Sequence, residues 1–313
     1  FPIGRLPWRD ATVASLPGAG AVGLDPEDGP RLWKGTVGVD AKWEHCLTVV
    51  DAEGNIIETW TQWDRIFKRP QFIAINPYDP EKHVWVSDDH MQVLYKFSND
   101  GKRLVQTIGT PTVKGADGTH FNRPTYMAWL PDSTMFVADG YNGTRVAKFD
   151  KEGKFLMDWG QKGTPPNERR PGFMNYVHGI AVDPETGRVF VNDRANHRIQ
   201  VFDENGQYLY EWSCGQAPSE IHLIYIGADR FLWAFDRATS KMLKYDLEGH
   251  FLYSWGCWGD FPGAFWGVHG FCVDQEGNFY VAEVDNGRVQ KFRPRQGVDP
   301  TNMVGKPVYA AWK

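Results

Sequence analysis

Short apolar runs separated by polar turns are the main pattern of this chain, and they are clearest between Asn175 and Trp212. Four runs rich in Val, Ile, Phe and Tyr follow one another there, as expected for β-strands. The breaks between them include Gly and Asn-Gly, which tolerate the positive φ of tight turns. Short connections force such strands to run antiparallel in sequence order. The four runs are His178–Asp183, Arg188–Asn192, Arg198–Asp203 and Gln207–Trp212.

The last turn of this unit recurs along the chain, each time with a glycine in its final position. The copies lie about 50 residues apart, and most are followed by a strand that ends in tryptophan. Repeats of four short strands at this spacing are typical of a β-propeller, in which each copy forms one blade. The turns are Asp51–Gly54, Ser98–Gly101, Asp150–Gly153, Asp203–Gly206 and Asp246–Gly249, and a sixth copy begins at Val268.

The pattern therefore predicts an all-β protein, a six-bladed β-propeller with four-stranded antiparallel blades around a central channel. The repeats run nearly end to end, which favours one domain over residues 1–313. The tail Lys306–Lys313 is expected to add a strand that closes the ring, in either the first or the last blade. Blades A to F are predicted at 18–60, 71–109, 125–160, 178–212, 222–256 and 269–292.

The composition argues against two classes of binding partner, nucleic acids and membranes. The net charge of −5 gives no electrostatic basis for binding nucleic acid or an anionic membrane. No apolar run reaches the roughly 20 residues of a membrane span. Phe1 is not an initiator methionine, which leaves room for a removed leader, so a secreted or periplasmic location is favoured over the cytoplasm. A disulfide between Cys214 and Cys257 is possible, and a monomer is expected.

Histidines share one register position in the predicted first strands. When the strand starts are aligned, three of the nine histidines fall in one column. In a propeller this column surrounds one mouth of the channel, so its side chains converge. Neutral imidazole is a common zinc ligand, and three rigidly held rings leave one coordination position open. The column contains His178, His222, His269, Gln71, Thr125 and Gly20, and the first four are the candidate metal ligands.

The loops between the second and third strands open at the same mouth. Their leading acids are expected to bond backbone N–H groups of neighbouring loops. Beside a metal, an arginine can hold a carboxylate with two hydrogen bonds, and a tyrosine can lose its proton and act as a base. The candidates in these loops are His90, Tyr141, Arg194 and Arg237.

Two segments resemble the NHL repeat of six-bladed propellers. Val191–Phe202 and Val281–Phe292 show a strand, an Asn-x-Arg loop and a further strand, and similar copies extend over roughly residues 18–295. The histidine column and the candidate residues of the loops also resemble the channel residues of the peptidyl-α-hydroxyglycine α-amidating lyases. This second likeness is sharpest at 139–145, 177–182, 193–198 and 268–270.

That family holds zinc with three channel histidines and acts on a carbinolamide with a tyrosine and arginines. The resemblance implies His178 and His269 as zinc ligands. It implies Tyr141 as the base and Arg194 as the clamp for the substrate carboxylate or oxyanion. Arg237, His90 and Lys34 are predicted to contact the substrate, and Lys34 stands near the position of a family arginine.

The chain also departs from the family. Gln71 replaces the first histidine ligand, so either Gln71 or His222 completes the predicted site. Gly270 replaces the acidic residue that the family links to a structural calcium, so zinc is the expected cofactor and calcium is not.

These observations favour a metal-dependent lyase that breaks a C–N or C–O bond at a hydroxylated carbon of a small or short peptide-like substrate. Two alternatives stay open. Other six-bladed propellers use a channel ion to open esters, which would make the protein a hydrolase or lactonase, although those sites rely on Glu, Asn and Asp. A non-enzymatic NHL scaffold that binds a protein or glycan is the third hypothesis, although a binding propeller has no need of an imidazole ring cluster.

Overall fold

The structure is a computed structural model that describes residues 22–25, 29–32, 44–215 and 219–308. Antiparallel sheets are arranged around a common axis, which confirms the predicted all-β propeller. Strands that follow one another in sequence pair within each sheet, as the short connections predict. The second strand is buried along its whole length in blades B to E, because neighbouring blades cover both of its faces.

The four complete blades share one strand order, and the last blade has three strands. Blade B contains β5 (Pro70–Ile75), β6 (Val84–Asp88), β7 (Val93–Phe97) and β8 (Leu104–Ile108); blade C contains β9 (Pro124–Trp129), β10 (Met135–Asp139), β11 (Arg145–Phe149) and β12 (Phe155–Trp159); blade D contains β15 (Val177–Val182), β16 (Val189–Asp193), β17 (Arg198–Phe202) and β18 (Tyr208–Ser213); blade E contains β19 (Ile221–Ile226), β20 (Leu232–Asp236), β21 (Lys241–Tyr245) and β22 (Phe251–Trp255); blade F contains β23 (Val268–Val273), β24 (Phe279–Glu283) and β25 (Arg288–Phe292).

The number of blades differs from the prediction, because the described residues form five blades instead of six. The region of predicted blade A forms two separate hairpins among the described residues, and no ladder joins them. The hairpins are β1 (Val22–Asp25) with β2 (Gly29–Leu32), and β3 (Thr48–Val50) with β4 (Ile56–Thr59). A short parallel pair, β13 (Gln161–Lys162) with β14 (Phe173–Met174), lies between blades C and D. Single 3₁₀ turns occupy Thr61–Ile66, Arg194–Asn196 and Pro300–Asn302.

The predicted closing strand is not formed by residues 306–308, and residues 309–313 lie outside the described part of the chain. Before that point the tail packs against blade E, where Val304 is buried and the Ala228 N–H donates to the Lys306 carbonyl at 2.7 Å. Cys214 and Cys257 are both free, so the possible disulfide is not present. None of the helices among the described residues is long and apolar enough to cross a membrane.

Glycines of the repeated turn pack against the tryptophan that ends the preceding blade. Gly206 has φ +78°, and a Cβ built on it would lie 2.8 Å from the Trp159 ring. Gly101 meets Trp60 and Gly249 meets Trp212 in the same way. Only glycine combines this backbone conformation with such a close approach, which explains why the sequence repeats glycine at this place.

We expect Gly206→Ala to destabilise the protein more than Gly187→Ala. Both residues have positive φ, which costs an alanine about 1–2 kcal/mol. The space around Gly187 is empty to 4 Å, whereas the methyl group at Gly206 would collide with Trp159 and cost about 1–3 kcal/mol more. Denaturant unfolding of both variants measures the difference, and equal losses would contradict this packing.

The loops at the mouth of the channel are held by buried acids and arginines. Asp193 accepts the Asn175 N–H at 2.8 Å and pairs with the Arg198 Nε at 2.8 Å. Arg198 also donates to the Phe173 carbonyl, so one ion pair fixes the loop that leads into blade D. Asp88 and Asp139 make the equivalent bonds to backbone N–H groups in blades B and C, as predicted for the leading acids. The candidate side chains therefore stand on a rigid frame.

Candidate metal centre

Three buried histidines meet at the mouth of the channel. His178, His222 and His269 are each the second residue of the first strand of their blade, in D, E and F. One ring nitrogen from each lies within 4.8 Å of the others, and the three residues are 0%, 2% and 6% exposed. The structure thus brings together the three histidines of the predicted column, which we call the histidine triad.

The hydrogen bonds of His178 define its tautomer. Its Nδ1 lies 2.6 Å from the carbonyl oxygen of His222, which can only accept, so Nδ1 carries the proton. Its Nε2 therefore presents a lone pair, and this atom lies 2.9 Å from the Tyr141 hydroxyl. A histidine that binds a metal usually donates its other ring N–H to a carbonyl or carboxylate in this way.

Burial keeps the imidazoles neutral. Loss of hydration holds the pKa of His178 and His222 well below the ordinary value, and the positive charge of Arg194 acts in the same direction. Burial, again with Arg194, lowers the pKa of His269 to about 3. Metal ligation requires neutral imidazole, so protons do not compete for these nitrogens at neutral pH.

Gln71 lies between two members of the triad. Its Nε2 is 3.3 Å from His178 Nε2 and 3.0 Å from His269 Nε2, and it donates to the Tyr141 hydroxyl at 3.2 Å. Its Oε1 is buried and makes no hydrogen bond. Rotation of the terminal amide by half a turn exchanges these two atoms. Gln71 can therefore present a carbonyl oxygen to the centre of the triad.

The residues present fit a divalent transition ion. His222 Nδ1 is buried without a hydrogen-bond partner among the described residues, as is Gln71 Oε1. Buried polar atoms without partners cost free energy, which an ion bound in their midst would offset. Three neutral imidazoles and an amide oxygen are ligands of zinc and similar ions.

Tyr141 closes one side of the triad. The N–H groups of Gly140 and Tyr141 donate to the Arg123 carbonyl, and the phenol ring lies 5.0 Å from the His178 ring, edge to face. Burial raises the pKa of the Tyr141 hydroxyl, and the positive charge of Arg69 opposes that shift. Because this hydroxyl lies 2.9 Å from His178 Nε2, it is within proton-transfer reach of a group bound at the triad.

Two guanidinium groups cover the Tyr141 ring. The Cζ atoms of Arg69 and Arg123 lie 5.2 and 4.4 Å from its centre. Both arginines pair with Asp89, which is fully buried: Arg69 Nε donates at 2.6 Å and Arg123 Nε at 2.8 Å. One carboxylate between two guanidinium groups leaves one positive charge unbalanced beside the site.

Two other predicted arginines also reach the mouth, but both are engaged. Arg194 donates to Glu220 through Nε at 2.9 Å and again through Nη2, and its Nη1 lies 3.5 Å from His222 Nε2. Arg237 donates to Asp285 at 2.6 Å. Each of these two guanidinium charges is therefore balanced by one carboxylate.

His90 and Lys34 were also predicted to contact the substrate. His90 makes no contact with the triad among the described residues. Burial, with the charge of Arg69 acting in the same direction, lowers its pKa to about 4. Lys34 lies outside the described residues.

A second column was missed by the sequence analysis. It lies two residues before the histidine column and contributes Arg69, Arg123, Tyr176 and Glu220. The signal was available, because the column follows from the alignment that located the histidines. Asp89 directly follows the second strand of blade B, and nothing in the sequence places it between two arginines.

Beneath the triad, aromatic rings close the channel. The Tyr126 hydroxyl donates to the backbone carbonyl of His269, and its ring lies 5.2 Å from His178. Phe72 lies against Tyr126 with ring centres 4.2 Å apart. Tyr126 and Phe72 form a floor that joins blades B, C and F.

The depressed histidine pKa values predict how stability depends on pH. A group that is neutral when folded and has an ordinary pKa near 6.5 when unfolded stabilises the protein above pH 6.5, and this contribution falls as pH drops toward the folded value. For His269, with a folded pKa of about 3, the loss is about 1.4 kcal/mol per pH unit between pH 6 and pH 4.

Burial raises the pKa of Asp88 and Asp139 to about 6, which acts in the opposite direction over the same pH range. Asp88 and Asp139 are unchanged in His269→Gln, so a comparison with this variant removes their contribution to the pH dependence. We expect the unfolding free energy of the chelator-treated protein to fall more steeply below pH 6 than that of the variant. Parallel pH profiles would show that His269 is not buried as a neutral ring.

Comparison with known families supports the repeat assignment. The NHL repeat model matches residues 174–202 and 265–292, which cover much of blades D and F. Among solved structures, virginiamycin B lyase from Staphylococcus aureus superposes with a TM-score of 0.53 over 79% of this chain and 72% of that chain. At 15% identity this likeness supports the propeller fold alone.

Curated relatives are similar over about half of the chain. A Drosophila melanogaster protein named peptidyl-alpha-hydroxyglycine alpha-amidating lyase 1 is 31% identical over 169 residues, covering 52% of this chain and 30% of that protein. The rat peptidylglycine alpha-amidating monooxygenase is 33% identical over 221 residues, covering 63% of this chain and 22% of that protein. The chain thus spans less than a third of the length of these two relatives. It is a β-propeller with NHL repeats at residues 174–202 and 265–292, and it resembles the peptidyl-α-hydroxyglycine α-amidating lyases.

Proposed function

We propose that this protein is a metal-dependent lyase that breaks the C–N bond at a hydroxylated carbon of a small or peptide-like substrate. The observation that carries the proposal is the histidine triad with the Tyr141 hydroxyl against it, 2.9 Å from His178 Nε2. The relatives named amidating lyases favour C–N over C–O cleavage. His178, His222 and His269 would hold the ion, with zinc the expected metal and Gln71 beside it.

The chain's own residues account for the proton transfers. A bound divalent ion supplies Lewis-acid polarisation of the substrate hydroxyl. Tyr141 would take the hydroxyl proton once the bound ion had lowered the tyrosine pKa that burial raises, and the carbon–oxygen bond would become a carbonyl as the C–N electron pair leaves with nitrogen. The leaving nitrogen would take up that proton from the Tyr141 hydroxyl, so the products are an aldehyde and an amide and Tyr141 returns to its starting state. No water is consumed in this reaction.

The balance of charge at the mouth assigns roles to the arginines. Arg194 keeps Glu220 and His222 in place, since its guanidinium group is occupied by them. Arg69 and Arg123 share one carboxylate, so their excess positive charge is available to a substrate carboxylate. The substrate clamp in this proposal is therefore the Arg69–Arg123 pair.

Arg123→Gln should raise KM for a carboxylate substrate by about 10–100-fold, because a charged hydrogen bond worth about 1.5–3 kcal/mol is lost. Asp89 keeps Arg69 as its partner in this variant, so the fold is retained. N-benzoyl-α-hydroxyglycine and its methyl ester serve as a charged and a neutral substrate. A preference for the acid that survives Arg123→Gln would exclude Arg123 from the clamp. Lys154→Gln, an exposed charge in the same blade, is the control for net charge.

The proposal is tested by metal content and product analysis. We expect about one zinc per chain by elemental analysis, and we expect benzamide and glyoxylate from N-benzoyl-α-hydroxyglycine. In ¹⁸O-labelled water, a hydrolase puts the label into its product during bond cleavage, whereas the lyase does not. Glyoxylate exchanges its carbonyl oxygen with water, so the benzoyl products are the ones to analyse: a hydrolase that attacks the acyl carbon gives labelled benzoate, whereas the lyase gives unlabelled benzamide. A metal-free protein with no zinc affinity and no turnover would instead favour an NHL scaffold.

A further inference from the structure

Lysines occupy one repeated position at the junctions between blades. The fourth residue of the third strand is lysine in blades B, C, E and F, namely Lys96, Lys148, Lys244 and Lys291. Lys148 Nζ donates to the Glu204 carbonyl in the turn of the next blade at 2.8 Å. Lys291 Nζ donates to the Ala52 carbonyl at 2.9 Å, and Lys244 Nζ to the Thr301 carbonyl. The usual role of this lysine is to tie its blade to a backbone carbonyl of the next segment.

Lys96 is the exception. Among the described residues its ammonium group has no hydrogen bond or ion pair, and it lies 5.4 Å from the centre of the Trp85 ring. The turn it would contact by analogy is Asp150–Gly153 of blade C. That turn is held instead by Gln106, whose Nε2 donates to the Glu152 carbonyl at 2.7 Å. The junction between blades B and C therefore leaves a cation without an acceptor.

A cavity lies at this place. It has a volume of about 320 Å³, at the lower end of the range for small-molecule pockets. Trp85 and Trp129 form part of its wall, with ring centres 6.3 Å apart, and Met135 adds a further apolar surface. The cavity is at the ends of the strands away from the histidine triad, so it is separate from the candidate metal centre.

Several polar groups of the lining already have partners in the chain. Asp79 accepts from His83 Nδ1 at 2.7 Å, and Asp150 accepts the backbone N–H groups of Glu152 and Lys154. Lys151, the second lysine of the lining, has its Nζ 3.7 Å from Glu152 Oε1. Among the described residues, the Lys96 ammonium is thus the lining cation without an acceptor, and a carboxylate gives it the strongest bond. The carboxylates of Asp79, Asp150 and Glu152 also line the cavity, and their negative charge disfavours a ligand with more than one negative charge.

We propose that this cavity binds a small aromatic monocarboxylate. Its carboxylate accepts a hydrogen bond from Lys96 Nζ, in place of the backbone carbonyl used at the other junctions, and its ring packs against Trp85 and Trp129. Aromatic side chains favour an aromatic partner through offset and edge-to-face contacts. No residue of the proposed lyase site takes part, so the two proposals stand or fall separately.

Titration of the protein with 4-fluorophenylacetate, followed by ¹⁹F NMR, tests this site. We expect saturable binding that is weakened at least tenfold by Lys96→Met, a loss of about 1.4 kcal/mol. Lys148→Met is the matched control, since its lysine already has a backbone acceptor, and it should bind the probe like the unaltered protein. The neutral 4-fluorophenylacetamide should bind weakly to all three proteins.

Melting temperatures establish that the variants are folded, and Lys96→Gln replaces Lys96→Met if the methionine disturbs packing. No saturable binding would overturn the proposal. So would equal affinity in Lys96→Met and Lys148→Met, because the probe would then be bound elsewhere, such as at the arginines of the mouth.

Discussion

His178→Ala should abolish both metal binding and lyase activity. The substitution removes the ring whose Nε2 faces Tyr141 and whose proton is fixed by the His222 carbonyl. Loss of an outer-shell partner costs about 10–100-fold in metal affinity or activity, and loss of a direct ligand should exceed this. Elemental analysis after gel filtration, together with kcat/KM for a carbinolamide, measures the two effects.

The matched control is His250→Ala. His250 is an exposed histidine on an outer turn, paired with Asp246, and it lies outside the proposed site. Its variant should keep the metal content and the activity of the unaltered protein. Full activity in His178→Ala after exhaustive chelation would remove the metal-dependent mechanism, whereas metal retained without activity would restrict His178 to catalysis.

Tyr141→Phe is expected to leave the metal in place and lower kcat by about 10²–10⁴-fold, the range for loss of a general base. The phenylalanine ring can still lie beneath Arg69 and Arg123, so the packing of the mouth is preserved. Because the hydroxyl acts on the proton that is transferred and not on the substrate carboxylate, KM should change little.

Steady-state kinetics, with the zinc content measured on the same samples, tests whether kcat falls while KM and the bound metal are unchanged. Tyr176→Phe is the control, since Tyr176 lies edge to face against Tyr141 at 5.7 Å and is 42% exposed. If Tyr141→Phe raised KM and left kcat unaltered, Tyr141 would be a binding residue, and another group would have to take the proton.

The architecture and the histidine triad were accessible from the sequence for one physical reason. A repeated strand pattern fixes the register of each blade, so equivalent positions must meet around the axis. The alignment of the strand starts placed the three histidines in one column, and the structure brings these together. No knowledge of side-chain conformation was needed for that step.

The sequence was less informative where the repeat weakens. The repeated turn Asp51–Gly54 and the tryptophan after it, Trp60, belong to the second hairpin, and the region predicted as blade A forms two unconnected hairpins among the described residues. Arg194 was expected to bind the substrate because its position faces the mouth. Its pairing with Glu220 depends on a contact between loops of two blades, which register alone does not specify.

The aromatic floor has a consequence for the order of events during turnover. Tyr126 and Phe72 lie across the axis behind the imidazoles, so we expect reactant and both products to share the entrance at the mouth. The fragment formed nearer that entrance has to depart before the deeper one can escape. Product inhibition should accordingly be competitive for the fragment that leaves last and noncompetitive for the one that leaves first.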